Sequence, residues 1–127
     1  MANLEIEGKN STFFIPTVNF NNETGLCKIE GESYLENTWE FYDKLTSWLR
    51  NYIEQGKPII FNFKLTYFNT SSSKGILDIL FLLRDYKQAG GSVTINWYYP
   101  EDDDDNLAEA EDFVADAEVE MNLIAYS

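Results

Sequence analysis

The 127-residue chain carries 22 acidic and 9 basic residues, which gives a formal net charge of −13. Such a charge repels nucleic-acid phosphates and anionic lipid, so neither is an expected partner. The chain has no histidine and a single cysteine, Cys27, which excludes histidine-based catalysis and an internal disulfide framework. Hydrophobic residues make up 44% of the chain, so we expect one domain with one core over residues 1–127.

The first part of the chain predicts two strands joined by a turn. Apolar and β-branched residues dominate residues 11–20 and again residues 26–33, with a polar segment ending in glycine between them. This arrangement is typical of a β-hairpin. The N-terminal segment MANLEIEGKN lacks the pattern of a signal peptide, and no run is long and apolar enough to insert into a membrane, so we expect a cytoplasmic protein.

An amphipathic helix is predicted next. Asn37 and Glu40 resemble a capping box at its start, and Gly56 provides the stop. Apolar residues recur at steps of three and four, which predicts one buried helical face. The members of this face are Leu35, Trp39, Tyr42, Leu45, Leu49, Tyr52 and Ile53.

A strand, a row of hydroxyl residues and a second helix follow. Residues 59–68 alternate and are rich in β-branched and aromatic side chains, as strands are. Thr70, Ser71, Ser72 and Ser73 come directly after this strand. The apolar run from Ile76 to Tyr86 then predicts a helix that ends at Gly90 and Gly91.

The last third of the chain predicts a strand, a third helix and a final strand. The strand SVTINWYY precedes an acidic segment that opens the third helix, where negative charge favours the helix dipole. Its predicted buried face contains Leu107, Ala110, Val114 and Ala117, and MNLIAYS forms the last strand. The order β-β-α-β-α-β-α-β predicts an α/β domain with a mixed, largely parallel sheet and three helices packed against it.

Few residues suggest catalysis or metal binding. Ser71 and Lys74 match the Ser-x-x-Lys spacing of penicillin-recognising acyl-enzymes, and a small hydrolase using these two residues stays open as an alternative. The acidic run Glu101–Asp105 does not match a calcium loop, because Leu107 and Phe113 occupy the positions that need glycine and glutamate. We therefore expect no metal, no cofactor and no catalytic residue, and interpret the chain as a non-enzyme.

The hydroxyl row allows two interpretations. A single Ser or Thr before a helix is usually just an N-cap. The row also lies at the carboxyl edge of the predicted sheet, where α/β folds place their sites, and the free N–H groups of a helix start accommodate an anion. A phosphate there adds roughly −1.5 to −2 charges, which is enough to switch a protein complex. A plain helix cap and a modification switch are both compatible with these residues.

Two segments resemble a known family. GESYLENTWEFY (residues 31–42) and LTYFNTSSSKGILDILFLL (residues 65–83) are similar to the signature blocks of the SiaC family of bacterial regulatory phosphoproteins. This resemblance implies a STAS-like fold and a partner-switching role. In that family the unphosphorylated protein binds and activates a diguanylate cyclase, which raises cyclic di-GMP and promotes biofilm. A cognate Ser/Thr kinase phosphorylates a threonine of the NTSS motif, and a PP2C-type phosphatase removes the phosphate.

Carried over by position, the resemblance places the phosphorylated threonine at Thr70, with Ser71, Ser72 and Ser73 as secondary candidates. The expected partner contacts lie around it. They are Tyr67, Phe68, Asn69, Ser71, Ser72 and Lys74. A STAS-like antagonist of an anti-sigma factor is the alternative with the same fold and switch.

Overall fold

The computed structural model describes residues 1–127 and contains eight strands and three helices. The strands are β1 (Leu4–Ile6), β2 (Lys9–Asn10), β3 (Phe14–Ile15), β4 (Thr17–Phe20), β5 (Leu26–Ser33), β6 (Ile59–Phe68), β7 (Val93–Pro100) and β8 (Asn122–Tyr126). The helices are α1 (Thr38–Ile53), α2 (Thr70–Gln88) and α3 (Asp104–Ala117). The predicted α/β class and the order of the three helices among the main strands are confirmed.

Six strands form one mixed sheet in the order β1-β4-β5-β6-β7-β8. The pairs β1–β4 and β4–β5 are antiparallel, and the pairs from β5 to β8 are parallel. Each parallel pair is joined by one helix, and right-handed crossovers between successive neighbours place all three helices on the same face. The carboxyl ends of β5, β6 and β7 therefore meet the starts of α1, α2 and α3 at one edge.

The core lies between the helices and the covered face of the sheet. Residues along β6 alternate between buried and accessible, as expected for a sheet with one covered face. Stacked and tilted aromatic rings fill the centre of the core, with Phe63 and Trp97 at 5.2 Å between ring centroids. None of the three helices combines the length and hydrophobicity needed to cross a membrane.

The N-terminal segment is more divided than its sequence predicts. The predicted strand over residues 11–20 is split by Pro16 into β3 and β4, because proline has no N–H group for a strand ladder. The short strands β1 and β2 were not predicted, since two or three residues are too few to show an alternating pattern. β1 extends the main sheet, whereas β2 and β3 form a separate two-stranded ribbon.

The start of α1 confirms its predicted cap but not its full apolar face. The Asn37 side chain accepts a hydrogen bond from the Glu40 N–H and donates one to the Glu40 carboxylate. Tyr42 is buried as predicted, but Trp39 is 75% exposed. The first turn of α1 projects past the sheet, since the first buried residue of the helix is Phe41, and the helical period cannot reveal where the sheet ends.

The predicted buried face of α3 is confirmed at Ala110 and Ala117, but its other two positions are shifted by one residue. Asn106 and Phe113 are buried, while Leu107 and Val114 are only partly covered. Asn106 is buried because it has partners there. Its side chain accepts from the indole N–H of Trp97 at 2.8 Å and donates to the Leu65 carbonyl at 2.8 Å.

Candidate functional site

The hydroxyl row forms the first turn of α2, at the edge where β5 and β6 end. Its cap is Asn69 rather than a hydroxyl residue, because the Asn69 side-chain oxygen accepts from the Ser72 N–H at 3.0 Å. The four hydroxyl residues thus lie inside the helix, and none of them is its cap. The interpretation of the row as a plain helix cap is therefore wrong.

Two of the four hydroxyls are withdrawn from solvent or tied to the helix backbone. Ser72 is completely buried, and its Oγ donates to the Ser33 carbonyl at 3.0 Å. Ser73 is partly buried, and its Oγ donates to the Asn69 carbonyl at 3.3 Å. The burial of Ser72 contradicts its expected roles as a phosphate acceptor and as a partner contact.

The other two hydroxyls, on Thr70 and Ser71, are exposed. Ser71 Oγ donates to the Asn69 side-chain oxygen at 3.2 Å and lies 3.0 Å from Thr38 Oγ1. Since its single proton goes to Asn69, Ser71 accepts the proton of Thr38. Thr70 Oγ1 makes no hydrogen bond within the protein. Thr70 is therefore the one member of the row that is both exposed and unengaged.

A buried chain of hydroxyls anchors this turn to the rest of the fold. Ser33 Oγ lies 2.7 Å from the Tyr42 hydroxyl and 2.8 Å from Ser72 Oγ. Each hydroxyl has one proton, and that of Ser72 goes to the Ser33 carbonyl. The Ser33 hydroxyl therefore donates to Ser72, and the Tyr42 hydroxyl donates to Ser33. Burial raises the pKa of Tyr42 to about 12, while the neighbouring hydroxyls of Ser33 and Ser72 act in the opposite direction. The Tyr42 hydroxyl thus remains neutral and able to donate.

Tyr42→Phe tests what this chain contributes to stability. Removing one buried hydrogen bond without changing the ring lowers the free energy of unfolding by about 1 kcal/mol. For a domain of this size we expect the melting temperature to fall by about 3–5 °C in a thermal denaturation. Tyr98→Phe is the matched control, because the Tyr98 hydroxyl has no partner in the protein, and an equal loss in both variants would contradict the prediction.

The predicted partner contacts divide into exposed and buried residues. Tyr67 is 48% exposed, and Lys74 and Ser71 are also exposed, whereas Asn69 is partly buried by its capping role. Phe68 is only 8% exposed and packs against the rings of the core. The expectation that Phe68 contacts a partner is therefore corrected, because its position in β6 points it at the covered face.

A groove between α1 and α2 adds residues that sequence reasoning missed. It has a volume of about 320 Å³, begins at Thr38 and Ser71, and is bordered by Trp39 and Lys74. Gly75 forms part of its floor, where a side chain would collide with the Tyr42 ring, so the helices pass very close together. A tryptophan in the first turn of a helix is the only sequence signal for Trp39, and it is indistinguishable there from a core residue.

A second cleft, beside Tyr67, is acidic. It has a volume of about 230 Å³ and lies between the end of β6 and the start of α3, where Asp103, Asp105 and Glu109 line it. Desolvation, followed by repulsion from Asp103, Asp105 and Asp112, raises the pKa of Glu109. Like charges are thus crowded close to the exposed ring of Tyr67.

The geometry does not assemble Ser71 and Lys74 into a nucleophile and its base. Both residues border the same groove, but Ser71 bonds to Thr38 and Asn69, and Lys74 makes no hydrogen bond to it. An activated serine requires its base within hydrogen-bond reach.

Comparison with known proteins identifies the family. The profile described as SiaC family regulatory phosphoprotein matches residues 6–126. The chain belongs to the SiaC family. A relative, the uncharacterized protein PA14_02130 of Pseudomonas aeruginosa, is 31% identical over 99% of this chain and 98% of its own length.

Solved structures of SiaC from Pseudomonas aeruginosa match this SiaC-family chain closely. Apo-SiaC has a TM-score of 0.86 at 32% identity, over 98% of this chain and all of that one. A second structure shows SiaC as the activator of the diguanylate cyclase SiaD, in complex with it. That SiaC has a TM-score of 0.89 at 30% identity, over 97% of this chain and 99% of that one. This chain is thus a SiaC-family regulatory phosphoprotein with the fold of those structures.

Proposed function

We propose that this protein is a non-enzymatic phospho-switch, which in its unphosphorylated form binds and activates a diguanylate cyclase in the cytoplasm. The observation that carries this proposal is the likeness to SiaC solved as the activator of SiaD, over nearly the whole of both chains. The low catalytic content of the site supports the same function. The hydroxyls of Ser71, Ser72 and Ser73 are engaged in structural hydrogen bonds, and the groove lacks a nucleophile–base pair.

The proposed switch residue is Thr70, phosphorylated by a cognate Ser/Thr kinase and restored by a PP2C-type phosphatase. Its exposure and its free hydroxyl support this choice over Ser71, Ser72 and Ser73, each of which has a hydrogen-bonding partner. The first turn of a helix tolerates a phosphate, because the N–H groups of Thr70 and Ser71 precede the first intrahelical hydrogen bond. Phosphorylation is therefore compatible with the folded state.

The proposed partner surface surrounds Thr70. Trp39 and Tyr67 are exposed aromatic side chains at this edge of the sheet, and Ser71 and Lys74 of α2 line the same groove as Trp39. Exposed aromatic residues are enriched at the energetic centres of protein interfaces. The acidic cleft beside Tyr67 favours a partner that brings arginine or lysine to this edge.

A phosphate at Thr70 opposes binding at this surface because the interface would have to desolvate it. A buried unpaired charge costs on the order of 2–5 kcal/mol, which corresponds to about a 30- to 5,000-fold loss of affinity. The net charge of −13 adds to the effect, since this protein offers few cations to neutralise the phosphate. This range is large enough to separate bound from free protein in a cell.

The decisive experiment compares the two forms of the protein on the cyclase of the same organism. Protein from native cells is separated into bare and phosphorylated fractions, and the peptide spanning residues 65–84 is mapped by mass spectrometry. We expect the phosphate on Thr70, and we expect only the bare fraction to raise cyclic di-GMP synthesis from GTP. Equal stimulation by both fractions, or a peptide that stays bare with phosphatases inhibited, would contradict the proposal.

A further inference from the structure

We infer that Thr38, on α1, directs phosphorylation to Thr70 by withholding the neighbouring hydroxyl of Ser71. The inference rests on the function proposed above and concerns how the acceptor is chosen. Thr70 and Ser71 are adjacent, both exposed, and both in the first turn of α2. A kinase that reaches one of them also approaches the other, so exposure alone does not select between them.

The chemistry of the transfer shows why hydrogen bonds matter here. The acceptor oxygen attacks the γ-phosphorus of ATP with a lone pair, its proton passes to a base in the kinase, and the bond from the γ-phosphorus to the bridging oxygen breaks to release ADP. An acceptor therefore needs an available lone pair and a proton that it can give to the base. Thr70 Oγ1 has both, because it has no partner in the protein.

In Ser71 the proton and one of the two lone pairs are already in use. Its proton is donated to the Asn69 side-chain oxygen at 3.2 Å, and the hydroxyl of Thr38 donates to it from 3.0 Å. Both bonds must be broken before Ser71 can turn toward a kinase. At the usual net contribution of a hydrogen bond, two bonds correspond to about a 5- to 150-fold disadvantage, and the bond from Thr38 alone to about 2- to 12-fold.

The bond from Thr38 depends on how the two helices are packed. Thr38 and Ser71 are 33 residues apart in sequence and meet only because α1 and α2 approach closely at Gly75 and Tyr42. The buried chain from Tyr42 through Ser33 to Ser72 holds the same turn of α2 from below. Thr38 is the member of this arrangement that lies near the surface, so it can be changed without opening the core.

The test measures which hydroxyl is phosphorylated. The chromosomal copy is replaced by Thr38→Val, which keeps the shape of the side chain and removes its hydroxyl, and by Thr38→Ser, which keeps the hydroxyl. Each is made with Thr70 intact and with Thr70→Ala. Cells are denatured rapidly, and phosphate occupancy is quantified on the peptide of residues 65–84. The measured quantity is a ratio for each residue at position 38. Its numerator is the phosphate occupancy of Ser71 in the strain with Thr70→Ala, and its denominator is the phosphate occupancy of Thr70 in the strain that keeps Thr70.

We expect Thr38→Val to raise this ratio by about 2- to 12-fold, and Thr38→Ser to leave it at the level of the unaltered Thr38. Because Thr38→Ser keeps the hydroxyl, a ratio that rises only in the valine variant reports the loss of the hydroxyl. A general loss of stability would not distinguish the two variants in this way. An equal ratio in the valine and threonine strains, or no Ser71 phosphate in any strain, would overturn the inference. Absence of phosphate on Thr70 in the wild type would instead overturn the proposed function.

Discussion

Thr70→Glu is expected to weaken binding to the diguanylate cyclase proposed as the partner by at least about 30-fold, to be measured by titration calorimetry with the purified proteins. The glutamate places a negative charge where the free Thr70 hydroxyl stands, at the exposed start of α2. An unpaired charge desolvated at an interface costs about 2 kcal/mol or more, which sets this lower bound. The fold itself is expected to tolerate the change, since an acidic side chain is favourable in the first turn of a helix.

Thr70→Gln is the matched control, because glutamine has the same shape as glutamate without its charge. We expect it to retain most of the affinity that the glutamate variant loses, because a neutral amide is much less costly to desolvate at an interface than a carboxylate. A loss in the glutamine variant as large as in the glutamate variant would show that size, rather than charge, disrupts the complex. Unchanged binding of both variants would place Thr70 outside the interface.

Trp39→Ala is expected to weaken the same complex by about 30-fold or more, while thermal stability changes little. The side chain is 75% exposed, so its removal takes little from the core. At an interface a buried tryptophan commonly contributes 2 kcal/mol or more, and the groove next to Ser71 and Lys74 provides a place for a partner to cover it.

Leu26→Ala is the control for that variant. Leu26 is also a large exposed hydrophobic residue, at 47%, but it lies at the start of β5, away from the edge where Thr70 stands. We expect its affinity for the cyclase to equal that of the wild type within about twofold. An equal loss in both variants would indicate a general effect of surface hydrophobicity rather than a defined docking surface.

The sequence predicted the location of the hydroxyl row better than it predicted which residues around the row are exposed. Thr70 was placed correctly at the junction of a strand and a helix, because the change of hydrophobic period from two to 3.6 is a local property of the chain. Trp39 was assigned to the core, since its spacing matches a buried face and only the length of the sheet determines which turn is covered. Phe68 and Ser72 were expected at the surface but are buried, because the local sequence does not show which residues at the end of β6 and the start of α2 face the core.

Local pattern was thus sufficient for the α/β class, the order of the helices and the location of the hydroxyl row. Only the tertiary structure decided which of the four hydroxyls is free. Ser33 and Ser72 are 39 residues apart, and Thr38 and Ser71 are 33 apart, so the hydrogen bonds that engage Ser72 and Ser71 form only after α1 and α2 have packed on the sheet. Whether a hydroxyl is engaged thus depends on residues that are distant in the sequence. Thr70 has no such partner, and its hydroxyl therefore stays free.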